Sequence, residues 1–234
     1  MRRLVDLSYP IEPHWREPSW LCERRVHATF DQGNWHASAV TLSCHAFTRV
    51  DAPRHRFPDG RTLDQLPLDT FIGTAYVVDL GETGPNTPIT GEMVAARAGH
   101  VRAGGIVVLK TLWDRQASHK TKEFWTTAPF LTRPAAEWLL ERRPKAVAFD
   151  FPPAFSFRYP YLPAEERARH TDRYAPHETF LPHGIATIEY VCNLGALTRD
   201  TVRLFALAPN IVGVEAFPAR VVAIEASAEM ETRR

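Results

Sequence analysis

Asp51, Pro53 and His55 form a D-x-P-x-H arrangement at the end of the segment His45-Ala46-Phe47-Thr48-Arg49-Val50-Asp51-Ala52-Pro53-Arg54-His55. A carboxylate and an imidazole on a backbone stiffened by proline make half of a divalent-metal site. Side chains alternate along an extended chain, so Arg49, Asp51 and His55 are expected to share a face. Arg49 stands where a third ligand is expected, and a guanidinium has no lone pair and stays protonated. The segment therefore reads as a metal site with one ligand replaced by a cation. The other half lies far downstream, where His177 and Glu189 are twelve residues apart. Ile185 to Val191 is an apolar, β-branched run bounded by His183-Gly184 and Asn193, which predicts a buried strand. Glu189 sits inside that run, and a carboxylate is rarely buried unless it is paired or bound to a metal.

Together these segments resemble the cyclase family of metal-dependent hydrolases, which includes bacterial kynurenine formamidase and isatin hydrolase. The family pattern is H-x-G-T-H-x-D-x-P-x-H, followed much later by H and, twelve residues on, by E. His45, Thr48, Asp51, Pro53, His55, His177 and Glu189 match it. Phe47 replaces the glycine, and Arg49 replaces the second histidine, a metal ligand in the family. The likeness extends over nearly the whole chain, through Val5-Asp6-Leu7-Ser8, Val107 to Trp113, Asn193-Leu194 and Pro218-x-Arg220-Val221.

The resemblance implies an α/β fold of the swivelling β/β/α type, one domain over residues 1–234, and a homodimer or homotetramer. It implies hydrolysis or cyclisation at an amide, lactam or ester-like carbonyl of a small, partly aromatic molecule. Its catalytic set is Arg49, His45 and Glu189, with His45 supporting the site through a hydrogen bond. Its metal set is Asp51, His55, His177 and Glu189, holding one Zn²⁺ or Mn²⁺. Two ions are not expected beside Arg49. Three roles are open to that residue. It pairs with Asp51 or Glu189 and takes the metal's place, it polarises a substrate carbonyl, or it steadies an oxyanion. The metal-free versions are an acid-base cyclase of a biosynthetic intermediate and a non-catalytic binding relative.

Strands are expected near 3–8, 38–50, 74–80, 105–111, 145–150, 185–191 and 219–225. Helices are expected at 90–99, capped by Thr90, and at 133–142, capped by Thr132 with Pro134 early. Alternating strands and helices in the middle of the chain imply some parallel pairing. Residues 152–176 lack a clear period. They read as a functional loop, an oligomer contact or a surface excursion with a short helix at 163–170. Trp15, Trp20 and Trp35 could line an apolar pocket or pack in the core.

The formal net charge of +1 gives no case for nucleic-acid or membrane partners. The apolar runs are strand-sized, too short to span a bilayer. MRRLVDLSYPIEPHW has no apolar core of a secretory signal, so a cytoplasmic location is expected. Cys22, Cys44 and Cys192 show no C-x-x-C spacing and read as reduced thiols.

Overall fold

The computed structural model describes residues 3–12, 21–170 and 172–225. In chain order the strands are β1 (Arg3–Asp6), β2 (Cys22–Ala28), β3 (Ala37–Leu42), β4 (Arg49–Asp51), β5 (Ile72–Asp79), β6 (Pro88–Ile89) and β7 (Ile106–Lys110). They continue with β8 (Phe130–Leu131), β9 (Ala146–Phe149), β10 (Ala186–Glu189), β11 (Thr201–Leu207), β12 (Ala216–Pro218) and β13 (Arg220–Glu225). The helices are α1 (Gly91–Ala95), α2 (Lys122–Thr126), α3 (Arg133–Glu141), α4 (Ala164–Arg169) and α5 (Ala175–Phe180).

Nine strands form one mixed sheet in the order β1-β13-β11-β5-β7-β9-β10-β4-β12. Its centre, β5-β7-β9-β10, is parallel, as the strand-helix alternation implies, and its flanks are antiparallel. The sheet curls until its flanks meet. Ser8, beyond β1, bridges Val191, beyond β10. The Leu7 N–H donates to Val221 O at 2.9 Å, and the Cys192 N–H donates to Leu7 O at 3.0 Å.

Alternation along the central strands divides the core in two. Ile106 and Val108 join Ala146, Ala148, Ile188, Val50 and Leu204 in one cluster. Val107 and Leu109 join Val147, Phe149 and the α3 residues Ala135, Ala136 and Leu139 in the other. Because Ile188 and Val50 point into the first cluster, Glu189, Thr187, Arg49 and Asp51 point to the opposite face.

Both predicted helix caps are present: Thr90 Oγ1 accepts from the Met93 N–H and Thr132 Oγ1 from the Ala135 N–H. The expected helix at 90–99 stops at Ala95, and the one at 163–170 is α4. The expected strand at 38–50 is two strands. β3 pairs with β2 in a separate hairpin, and β4 enters the main sheet. The break falls at Phe47, whose φ of +61° no strand accommodates. Glycine takes this left-handed conformation without strain, whereas a bulky side chain adopts it only when its surroundings compel it. Phe47 is compelled by burial in the helix-side core. The strand expected at 185–191 likewise ends at Glu189, because Tyr190 has φ +57°. Trp35 is 62% exposed and lines no core, while Trp15 and Trp20 lie outside the described residues. The three cysteines are free thiols. No helix among the described residues is long and apolar enough to cross a membrane.

Candidate active site

Register alone brings the two halves of the sequence pattern together. β10 pairs antiparallel with β4 so that Glu189 lies opposite Arg49 and Thr187 opposite Asp51. Facing residues on one side of such a pair are in contact range. The Arg49 fork closes on both acids. Its Nε donates to Asp51 Oδ1 at 2.6 Å, and its Nη2 donates to Asp51 Oδ2 at 3.0 Å and to Glu189 Oε2 at 2.6 Å. Nη1 donates to the His45 carbonyl at 3.2 Å, and the guanidinium carbon lies 4.8 Å from the centre of the Tyr190 ring. Arg49 is 3% exposed, and Asp51 and Glu189 are fully buried.

α5 lays His177 over the acids, with Nε2 2.8 Å from Glu189 Oε1 and 3.9 Å from Asp51 Oδ2. The closer contact is at hydrogen-bond distance and helps Arg49 hold the Glu189 carboxyl down, although its alignment leaves both atoms short of a well-formed hydrogen bond. His55 arrives by a route other than the expected one. The strand ends at Asp51, and Pro53–His55 form a 3-10 turn, so strand alternation does not place the imidazole. The turn packs His55 against His45, with centroids 4.3 Å apart and the rings tilted by 42°, and edge-on to His177 at 5.2 Å. His45 Nε2 lies 2.9 Å from Glu215 Oε1, a residue outside the sequence pattern. Thr48 is a clamp: its hydroxyl donates to Tyr190 O at 2.6 Å and accepts the Tyr9 N–H at 2.9 Å.

The charges hold one another. Burial alone would lower the Arg49 pKa, but Asp51 and Glu189 raise it well above its ordinary value. Burial alone would raise both carboxyls, yet Arg49 holds Asp51 far below the carboxylate range and Glu189 below its own. His55 is held down to about 4, first by burial and then by the nearby His177, His45 and Arg49, against the pull of Asp51. At neutral pH the inner cluster is two anions and one cation, with His55 uncharged.

Two groups of side chains bring potential ligand atoms within 4.8 Å of one another: His45, Asp51 and His55, and Asp51, His177 and Glu189. Asp51 belongs to both, and Arg49 already bonds both of its oxygens. The second group keeps buried ligand atoms short of a well-formed hydrogen bond in His177 Nε2 and Glu189 Oε1. Its mixed nitrogen and oxygen donors suit Zn²⁺ or Mn²⁺. A divalent ion about 5 Å from the guanidinium would be repelled by about 7 kcal/mol at an effective dielectric near 20, offset by the acids. The residues fit one ion at the second group and do not fit two.

A model of the Cyclase family, described as putative cyclase, matches residues 5–154. The kynurenine formamidase of Salinibacter ruber is 27% identical over 227 residues, covering 94% of this chain and 96% of its own. That of Bacillus cereus is 24% identical over 229 residues, covering 93% and 95%. Isatin hydrolase A from Labrenzia aggregata, solved with benzyl benzoate, shares the fold with a TM-score of 0.79. It is 21% identical, and the match covers 97% of this chain and 94% of its own. A structure described as a potential metal-dependent hydrolase with cyclase activity matches with a TM-score of 0.73 at 23% identity, covering 97% and 100%.

Two experiments follow from the electrostatics. Arg49→Met keeps length but strands two facing carboxylates, so it is expected to cost about 3–5 kcal/mol at neutral pH by urea unfolding. A loss under about 1 kcal/mol would show that the acids are not held by Arg49. The second concerns acid. Unfolded His55 takes a proton near its ordinary 6.5, but folded His55 does so only near 4. Between these values the unfolded state binds more protons, so stability must fall as pH falls from 6.5 towards 4. His55 accounts for up to about 3 kcal/mol of that loss. Below that window, protonation of Asp51 and Glu189 extends it. His55→Gln is expected to flatten the dependence across the upper window, and an unchanged slope would mean His55 is not held neutral.

Proposed function

The chain belongs to the cyclase family and is an enzyme, and we propose that it works by hydrolysis or ring closure at an amide, lactam or ester-like carbonyl of a small, partly aromatic molecule. The names of its relatives, kynurenine formamidase and isatin hydrolase, support that carbonyl class. One observation carries the reading of the site. Asp51, Glu189 and Arg49 form a buried cluster of net charge −1, and His177 Nε2 and Glu189 Oε1 converge without a well-formed hydrogen bond. The cluster calls for one more positive group.

A single divalent ion held by Asp51, His177 and Glu189 would supply it, and would there activate water and polarise a carbonyl. Asp51, Glu189 and Arg49 do not exchange protons near neutral pH, because each keeps the others charged. They act as a fixed electrostatic frame. Proton transfer falls to the imidazoles. Neutral His55 accepts a proton from water as its oxygen attacks the carbonyl carbon. When the carbon–nitrogen bond breaks, the same ring returns that proton to the departing nitrogen. Ring closure is the reverse, with loss of water.

A second reading is metal-free and is favoured by the Arg49 fork, which already bonds both acids. A proton shared by His177 Nε2 and Glu189 Oε1 then supplies the missing charge. We further propose a single domain over residues 1–234, a homodimer or homotetramer and a cytoplasmic location.

Elemental analysis after dialysis is expected to give no more than one divalent ion per chain, and a content near two would overturn this account of Arg49. Arg49→His, which restores the family ligand, is expected to raise ion content. Isatin and an aryl formamide are suitable first substrates. Turnover abolished by chelator supports the ion, and turnover that survives chelation supports the proton. Absence of turnover on any aryl amide, lactam or ester would sink the carbonyl reading.

A further inference from the structure

Glu215 stands outside the D-x-P-x-H pattern, yet it meets the motif twice. Its backbone carbonyl accepts the Ala52 N–H at 2.8 Å, and its Oε1 lies 2.9 Å from His45 Nε2. It directly precedes β12, where Ala216 pairs with Asp51, so sheet register fixes its position beside the site. A carboxylate only accepts, so the hydrogen bond requires His45 Nε2 to carry the proton. The other ring nitrogen, Nδ1, is buried and has no hydrogen bond among the described residues. Nδ1 lies 3.7 Å from Asp51 Oδ1, too far for a hydrogen bond, and that oxygen already accepts from Arg49 Nε. The same ring packs, tilted, against His55.

We propose that Glu215 is a positioning residue for His45: it accepts a hydrogen bond from Nε2 and so turns the Nδ1 edge of the ring into the space between Asp51 and His55. A carboxylate behind an imidazole fixes the ring plane and aims the far nitrogen. His45 Nδ1 then faces a water or substrate bound beside His55. The orienting carboxylate is 34% exposed and His45 24%, so the pair runs from the surface to the fully buried Asp51.

The inference rests on reading this cluster as the active site, but its first test needs no substrate. In ¹⁵N NMR of the full chain at neutral pH, His45 is expected to show a proton on Nε2, held by Glu215. Glu215→Ala is expected to lose that single pattern, and Glu215→Gln to keep it, because the amide oxygen still accepts from Nε2. With a turned-over substrate, Glu215→Ala is expected to lower kcat about 10–100-fold with little change in KM, and Glu215→Gln to recover most of it. A purely structural role would lower Tm and leave the tautomer alone. A wild-type Nε2 without a proton, or a wild-type His45 pattern in Glu215→Ala, overturns the proposal. The expected spectra with no turnover in any variant would leave the positioning role standing and count against the proposed function instead.

Discussion

A guanidinium gripping two carboxylates where water does not reach is the constraint to which the surrounding structure answers. An isolated buried carboxylate is prohibitively costly, and removing one partner from a buried pair costs several kcal/mol. Arg49, Asp51 and Glu189 are therefore tolerated only together and only in one geometry. β4 supplies two of the three on one face, and β10 supplies the third directly opposite. The guanidinium is fixed further by the His45 carbonyl and the Tyr190 ring. A slip of one residue between β4 and β10 would turn Glu189 into the apolar cluster around Ile188, so burial of charge and strand register enforce each other.

That geometry depends on the closure of the sheet. β10 cannot continue past Glu189, because Tyr190 turns left-handed and Val191 joins the seam with Ser8. Arg220 binds Asp6 through Nε at 2.9 Å and Nη2 at 2.5 Å. The Val221 N–H donates to Ser8 Oγ at 2.7 Å, and Asn193 Nδ2 donates to Asp6 O at 3.1 Å. The outlying family segments, Asp6-Leu7-Ser8, Asn193 and Arg220-Val221, thus meet one another. They close the curl beside the β10–β4 pair.

Much of this was readable in the sequence where the signal was local. A carboxylate inside an apolar run marked Glu189 as buried and paired, and threonines ahead of apolar stripes marked two helix starts. What was not readable depends on distant pairing. Glu215 has no motif, because only the β12–β4 register brings it to His45. The 38–50 stretch reads as one strand because its hydropathy is continuous. The left-handed turn at Phe47 divides it, and the matched family pattern marks that position only through its glycine. His55 does reach the cluster, but by a 3-10 turn and not by the extended strand expected to carry it there. No strand is expected over β2, which is exposed along most of its length and so lacks the one-sided burial that makes a strand visible in sequence.

Exchanging a histidine for an arginine inside such a cluster changes what the acids can do. A histidine ligand contributes a lone pair and leaves the charge to be imported as an ion. An arginine brings the charge covalently and cannot release it. Asp51 and Glu189 are then locked as anions across the working pH range, so neither can serve as the acid or the base. The groups left to move protons are the three imidazoles, His45, His55 and His177, packed ring to ring above the acids. Their division of labour follows from what holds each one. His177 faces Oε1 of Glu189, His45 is tied to Glu215, and His55, with no carboxylate in direct contact, is kept neutral by burial and its cationic surroundings. In the proposed mechanism, the arginine therefore leaves the acid-base chemistry to residues that the family pattern retains.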